Sequence, residues 1–203
     1  MDANDAVRRV VTGHDPDGRS VFVSDEPVPA LKPRLFPGAL FHRLWGGDEP
    51  PHFPNDGQKP SQPCYFPPVG GFRYALVTLP PAHDPAEPAR HIDYDAGLAE
   101  IEDMLPGLLG YMEQDEPGMH TTATVDFEVV LSGELILELD DGATVTLRRG
   151  DSVVQNGTRH RWTNPGTEPA TMAVFIVGAH HDGVRHGANH GANHEVTRRP
   201  HTA

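Results

Sequence analysis

Apolar and polar residues alternate with period two along much of this chain, and that pattern predicts strands rather than helices. Ala6 to Thr12 and Arg19 to Ser24 are rich in Val and flank Gly13-His14-Asp15-Pro16-Asp17-Gly18. The turn chemistry of that link predicts a hairpin or a pair of edge strands, with His14 exposed on the turn. Leu40 to Trp45 is a further short strand, with His42 packed or at the surface, and Phe72 to Leu79 is a firm one, ended by Pro80-Pro81. The alternating run from Glu134 to Leu147 breaks at Asp140-Asp141-Gly142, a hairpin signal, and Ala170 to Val177 reads as an apolar final strand.

Two stretches depart from the alternation. Asp48 to Pro68 holds too many prolines for regular structure, so an ordered wrapping loop is expected in which Phe53, Tyr65 and Phe66 find burial. Between Asp84 and Glu116, Leu98, Ile101, Leu105, Leu108 and Met112 recur at spacings of three and four, a helical stripe. Asp93 or Asp95 can cap its start, and Pro106-Gly107 should end or kink it. This element either covers a sheet face or closes over an opening.

The chemistry concentrates between Gly118 and Asn164. His120, Thr122, Asp126 and Glu128 share parity, so a regular extended stretch sends all four to one face. Farther along, Gly150, His160 and Asn164 frame a second run that ends in the turn Asn164-Pro165-Gly166. Together these resemble the paired motifs of the cupin superfamily, of the form H-x-H…E…G and G…P-x-G-x-x-H…N. His120 and Gly133 fill the first motif, with Thr122 where the second His stands in the family and Asp126 in place of Glu. Gly150, His160 and Asn164 fill the second, with Asn156 in place of Pro and a slightly shortened loop.

The resemblance implies an all-β fold, an antiparallel jelly-roll barrel with a short helical insertion. Residues 1–70 would be N-terminal strands and the wrapping loop, 71–178 the barrel with its insertion at 84–116, and 179–203 a tail. The N-terminal strands would extend one of the barrel's sheets, in the same or a neighbouring subunit, and the chain would form a homodimer. It also implies one divalent metal ion held by His120, Asp126 and His160, a two-histidine, one-carboxylate set that leaves open positions on iron(II). Iron leads, and Zn, Mn or Ni suit the same donors. Asp126 could instead cap a turn or bond His120. Glu128 is a separate candidate: an inward carboxylate in an apolar barrel has a raised pKa and can move protons, unless it pairs with Arg159, Arg161 or Arg73. Trp162 is read as barrel wall and Asn164 as support for its turn.

Composition trims the alternatives. At 203 residues the chain suits one domain with appendages, and a formal charge of −13 argues against nucleic acid or an anionic membrane as partner. The N-terminus is acidic, no apolar run approaches the length of a membrane span, and Cys64 is alone; a cytoplasmic location is expected, with Cys64 a small buried hydrophobe. The segment from Ala179 holds six of the thirteen histidines and few apolar residues, so disorder is expected there.

What the resemblance implies for function is a metal-dependent enzyme acting on a small organic substrate inside the barrel, an oxygenase as the leading subtype. A metal-dependent isomerase, dehydratase or cyclase of secondary metabolism is one alternative. A non-catalytic barrel that binds a small ligand, with His120 and His160 as hydrogen-bonding groups, is the other.

Overall fold

A computed structural model describes residues 5–82 and 93–183. Its centre is two antiparallel sheets. The larger runs in the order β3 (Leu40–Gly47), β4 (Phe72–Leu79), β10 (Ala170–Gly178), β5 (Thr124–Ser132), β8 (Ser152–Asn156). The smaller runs β7 (Thr144–Arg148), β6 (Glu134–Glu138), β9 (Arg161–Thr163). Their inner faces meet in one core, where Val130, Met172, Val174 and Ile176 of the large sheet join Leu135, Leu137 and Leu147 of the small one. Burial of alternate residues on two facing sheets is what specifies this jelly-roll barrel. The sheet starts before residue 71, because β3 pairs with β4 from Leu40–Thr78 to Gly47–Phe72.

The sharp turn between β5 and β6 depends on Gly133. Its φ is 74°, and a Cβ there would stand 2.6 Å from the Cβ of Ala170, where β10 begins. Only glycine fits both the left-handed backbone and the close approach.

The helical stripe folds as α1 (Tyr94–Met104) and a 3-10 turn at Leu108–Tyr111. Asp93 caps α1 by accepting from the Ala96 N–H at 3.1 Å, and Asp95 sits in the first turn where the helix dipole favours negative charge. Gly107, at φ 78°, separates helix from 3-10 turn, and the Glu102 carboxylate accepts from its N–H at 3.0 Å. Ile101, Leu105 and Leu108 are buried in the barrel core, so this element closes one side of it.

The N-terminal strands β1 (Ala6–His14) and β2 (Ser20–Pro29) pair with each other as a separate two-stranded sheet. They do not extend a barrel sheet in this chain. Arg9 reaches the Leu44 carbonyl at 2.9 Å, and the His14 N–H the Asn55 carbonyl at 2.7 Å, so side chains and a loop tether the hairpin. His14 is therefore partly buried, its Nδ1 3.1 Å from the same carbonyl, and not free on its turn.

The proline-rich segment is ordered by two arginines. Arg73, only 4% exposed, donates to the carbonyls of Gly47, Phe72 and Cys64 and to Asp48, while Arg43 donates to the carbonyls of Gln62 and Cys64. Burial pushes the Arg43 guanidinium below its ordinary pKa, and the charge of Arg73 adds to the effect. Cys64 itself is exposed, contrary to the expectation of a buried hydrophobe. The loop is held by its backbone carbonyl, which turns Tyr65 and Phe66 into the core and leaves the thiol outside. The start of the C-terminal segment stays on the barrel: the Ala179 N–H bonds the Ala123 carbonyl, and His181 the Gly157 carbonyl. The rest of the His-rich tail lies outside the described residues.

Candidate functional site

The barrel encloses a cavity of about 300 Å³. Small-molecule sites begin near that size. Its wall is mostly aromatic and aliphatic, with His120, His160, Asp126 and Glu128 as its titratable groups near neutrality and Tyr65 and Trp162 as aromatic residues that carry a polar atom. A larger open groove of about 1090 Å³ lies between β1, the proline-rich loop and the outer face of β4 and β10. There Arg73 is bound to Asp48, and Arg9 to the Leu44 carbonyl and to Glu26.

The two histidines are brought together by backbone pairing. His120 and His160 each donate an N–H to the other's carbonyl at 2.9 Å, and their ring centroids are 4.2 Å apart. His120 Nδ1 lies 3.0 Å from the Gly118 carbonyl and His160 Nδ1 2.9 Å from the Thr158 carbonyl. A carbonyl only accepts, so Nδ1 carries the proton in both rings and each Nε2 is left with a lone pair. Burial lowers both pKa values; for His160, the neighbouring His120 lowers it further, to about 4. Both rings are neutral near pH 7.

The carboxylates sit on β5. Thr124, Asp126, Glu128 and Val130 face inward in alternation with the exposed Phe127 and Leu131. Asp126 is 4% exposed and Glu128 5%, and Asp126 Oδ1 and Glu128 Oε2 have no hydrogen-bond partner in the protein. Burial raises the Asp126 pKa to about 6, with Thr124 opposing. Burial, together with the charge of Asp126, raises Glu128 to about 8. Trp162 faces Glu128 closely enough to favour its ionised form slightly, yet the indole Nε1 completes no hydrogen bond.

Among the described residues no arginine neutralises this pair. Arg159 is bound to Glu113, Glu116 and Asp140, Arg161 to Glu138, and Arg73 to Asp48. Asp126 neither caps a turn through Oδ1 nor bonds His120. Thr122 is fully buried and spends its hydroxyl on Thr124 at 2.7 Å, away from the cavity wall.

The metal expectation can be tested on these donors. Their chemistry is suitable: two neutral imidazoles with free Nε2 atoms and two carboxylates with orphaned oxygens. Their arrangement is not. Among the described residues no group of three or more His, Cys, Asp or Glu side chains stands together as a metal site. The histidine pair and the carboxylate pair share a cavity without converging on one point. Thr122 supplies no donor in place of the family's second histidine, and Asp126 is one methylene shorter than the family's Glu.

Other wall residues come from outside the two motifs. Phe36, Phe41, Tyr65 and Phe66 come from the segment before the barrel motifs, and Leu108 and Met112 from the helical insertion. Their rings form a chain of tilted and edge-on contacts, Phe36–Phe41 at 6.2 Å, Phe41–Tyr65 at 6.4 Å and Tyr65–Phe66 at 5.0 Å. Tyr65 is buried, and burial raises its pKa. Opposite them, Asn164 donates to the carbonyls of Leu79 and Glu168 and accepts from the Gly166 N–H, holding the turn after β9.

Fold and site define a cupin barrel, and comparison with known proteins agrees. The family model for the cupin domain matches residues 108–177. The chain is 31% identical over 172 residues to oryzines biosynthesis cluster protein J of Aspergillus oryzae, covering 84% of this chain and 81% of that protein. The chain belongs to the cupin superfamily. It is also 28% identical over 174 residues to the cupin-domain-containing oxidoreductase fogC of Aspergillus ruber, covering 84% and 72%. With the cupin-domain-containing oxidoreductase virC of Hypocrea virens it shares 25% over 167 residues, covering 81% and 72%. Among the described residues no helix is long and apolar enough to cross a membrane.

Proposed function

We propose that this chain is an enzyme of secondary metabolism that moves protons on a small substrate in the barrel cavity, isomerising or dehydrating it. The observation that supports this best is the buried pair Asp126 and Glu128, each with an unpartnered oxygen on the cavity wall. Pairs of carboxyl groups whose surroundings separate their pKa values divide into a base and an acid. With Asp126 near 6 and Glu128 near 8, Asp126 is mainly ionised and Glu128 mainly protonated at pH 7. Asp126 takes a proton from the carbon beside a carbonyl. Glu128 gives its proton to a departing hydroxyl, the C–O bond breaks, and water leaves. Solvent then returns the Asp126 proton to Glu128. The apolar wall keeps both groups out of bulk water between turnovers. The oryzines relative carries the name of a biosynthesis cluster protein, which supports the metabolic setting.

A neutral β-hydroxy ketone, the aldol of benzaldehyde and acetone, tests the proposal in heavy water. The expected result is deuterium entering the methylene beside the ketone faster than in buffer, with benzalacetone appearing. Glu128→Gln should slow this by about 100-fold. Exchange at the buffer rate, or exchange indifferent to the substitution, would sink the proposal.

A metal-dependent oxygenase is the second reading, favoured by two relatives named oxidoreductases and by the Nδ1 bonds that orient both histidines as in ligating pairs. That reading requires His120, His160 and Asp126 to draw together around iron, since they form no three-residue cluster as they stand. Elemental analysis of protein purified without a metal-affinity step checks it. About one equivalent of iron, lost in His160→Ala, supports the reading; active protein with far less metal overturns it.

A further inference from the structure

We propose that the cavity selects an uncharged, largely apolar molecule bearing a hydroxyl β to a carbonyl-type acceptor, and that it excludes anions. This rests on the cavity being the substrate site and adds what the site recognises. The unpartnered polar side-chain atoms on its wall are Asp126 Oδ1, an acceptor, the Trp162 N–H, a donor, and Glu128 Oε2, which belongs to a carboxyl group that can donate while it holds its proton. Each histidine has its Nδ1–H committed to a backbone carbonyl and offers a lone pair at Nε2. A ligand hydroxyl donates to such acceptors, and a ligand carbonyl accepts from Trp162. Unpartnered buried polar atoms carry a desolvation cost, so a ligand that satisfies them gains that cost back.

The exclusion of anions follows from where the cations are. Among the described residues no Lys or Arg lines the cavity. The arginines flanking His160, Arg159 and Arg161, are turned outward into Glu113, Glu116, Asp140 and Glu138. Arg43 and Arg73 are spent on the proline-rich loop. A carboxylate or phosphate entering this space would lose its hydration, meet the Asp126 carboxylate and find no counter-charge. The remaining wall, with Phe36, Phe41, Phe66 and Met172 among its residues, suits a ring or short aliphatic body.

Three probes of similar size separate the elements of the inference: the β-hydroxy ketone above, benzylacetone, which lacks the hydroxyl, and β-hydroxy-β-phenylpropionate, which replaces the ketone by a carboxylate. Trp45 and Trp162 are the only tryptophans in the sequence, so in Trp45→Phe the emission reports the cavity wall alone. The same titrations by calorimetry on the unmodified chain cover the case that this variant folds poorly. The hydroxy ketone should bind at least about tenfold tighter than either analogue. The acid binding equally or better overturns the exclusion of anions. Benzylacetone binding as tightly as the hydroxy ketone overturns the role of the hydroxyl. Either result leaves the catalytic test with Glu128→Gln standing. No heat and no emission change with any probe overturns the cavity as a ligand site, and the proposed function with it.

Discussion

His120 and His160 donate to each other's backbone carbonyls at 2.9 Å, and this reciprocal pair sets their imidazoles side by side with centroids 4.2 Å apart. Two rings so close in a buried site cannot both be charged at low cost. His160, whose ordinary pKa is 6.5, is held near 4. Its folded pKa lies below the unfolded one, so the unfolded chain binds more protons and stability is lost as pH falls from about 6.5 towards 4. Ring nitrogen shifts measured by NMR should show His160 neutral at pH 5. A midpoint near 6.5 would contradict this packing.

Glu128 gives the opposite slope. Its folded pKa, about 8, lies above the ordinary 4.5, so the folded chain binds the extra proton. Stability is fully present below 4.5 and lost as pH rises through 8. Glu128→Gln removes that loss, and at about pH 9 the variant should be more stable than the parent by about 3 kcal/mol. Urea unfolding at several pH values measures it; equal stability at alkaline pH would mean that Glu128 is partnered or hydrated.

Gly133→Ala should cost about 2–4 kcal/mol, because the new Cβ meets Ala170 and the backbone is left-handed. The check is the urea midpoint at constant slope. A loss within measurement error would show that the β5–β6 turn can relax.

Asn164→Ala strips hydrogen bonds from two carbonyls and one N–H around a residue that is 2% exposed. The expected loss is about 3 kcal/mol. Asn164→Asp should recover only part of it, since a carboxylate can accept from Gly166 but cannot donate to Leu79 or Glu168. Thermal melts of the two variants side by side give the comparison.

The sequence made the barrel legible because period-two alternation is a local signal. Phe72–Leu79 begins and ends where the pattern places it, and the shared parity of Asp126 and Glu128 does send both inward. What alternation does not encode is where a strand without a tight turn will dock. Hence β1 and β2 were legible as strands, and their separation from the barrel sheets was not. Nor does spacing encode distance. His120 and His160 lie forty residues apart and share a backbone bridge, while Asp126, only six from His120, makes no cluster with both. The aromatic wall was legible in part: Tyr65 and Phe66 are buried as expected, whereas Phe53, expected to be buried with them, is 69% exposed, because the arginine bonds that place the loop act on the carbonyl of Cys64 and leave no pattern in the rings.

That grip on the carbonyl of Cys64 has an evolutionary consequence. Arg43 and Arg73 hold a main-chain atom, which every residue type provides, so the latch is indifferent to the side chains it displays. The rings lining the cavity can be exchanged for others while Asp126 and Glu128, on a separate strand, keep their places. A barrel built this way can reshape its cavity through changes in its loop and leave the buried carboxyl pair inherited intact.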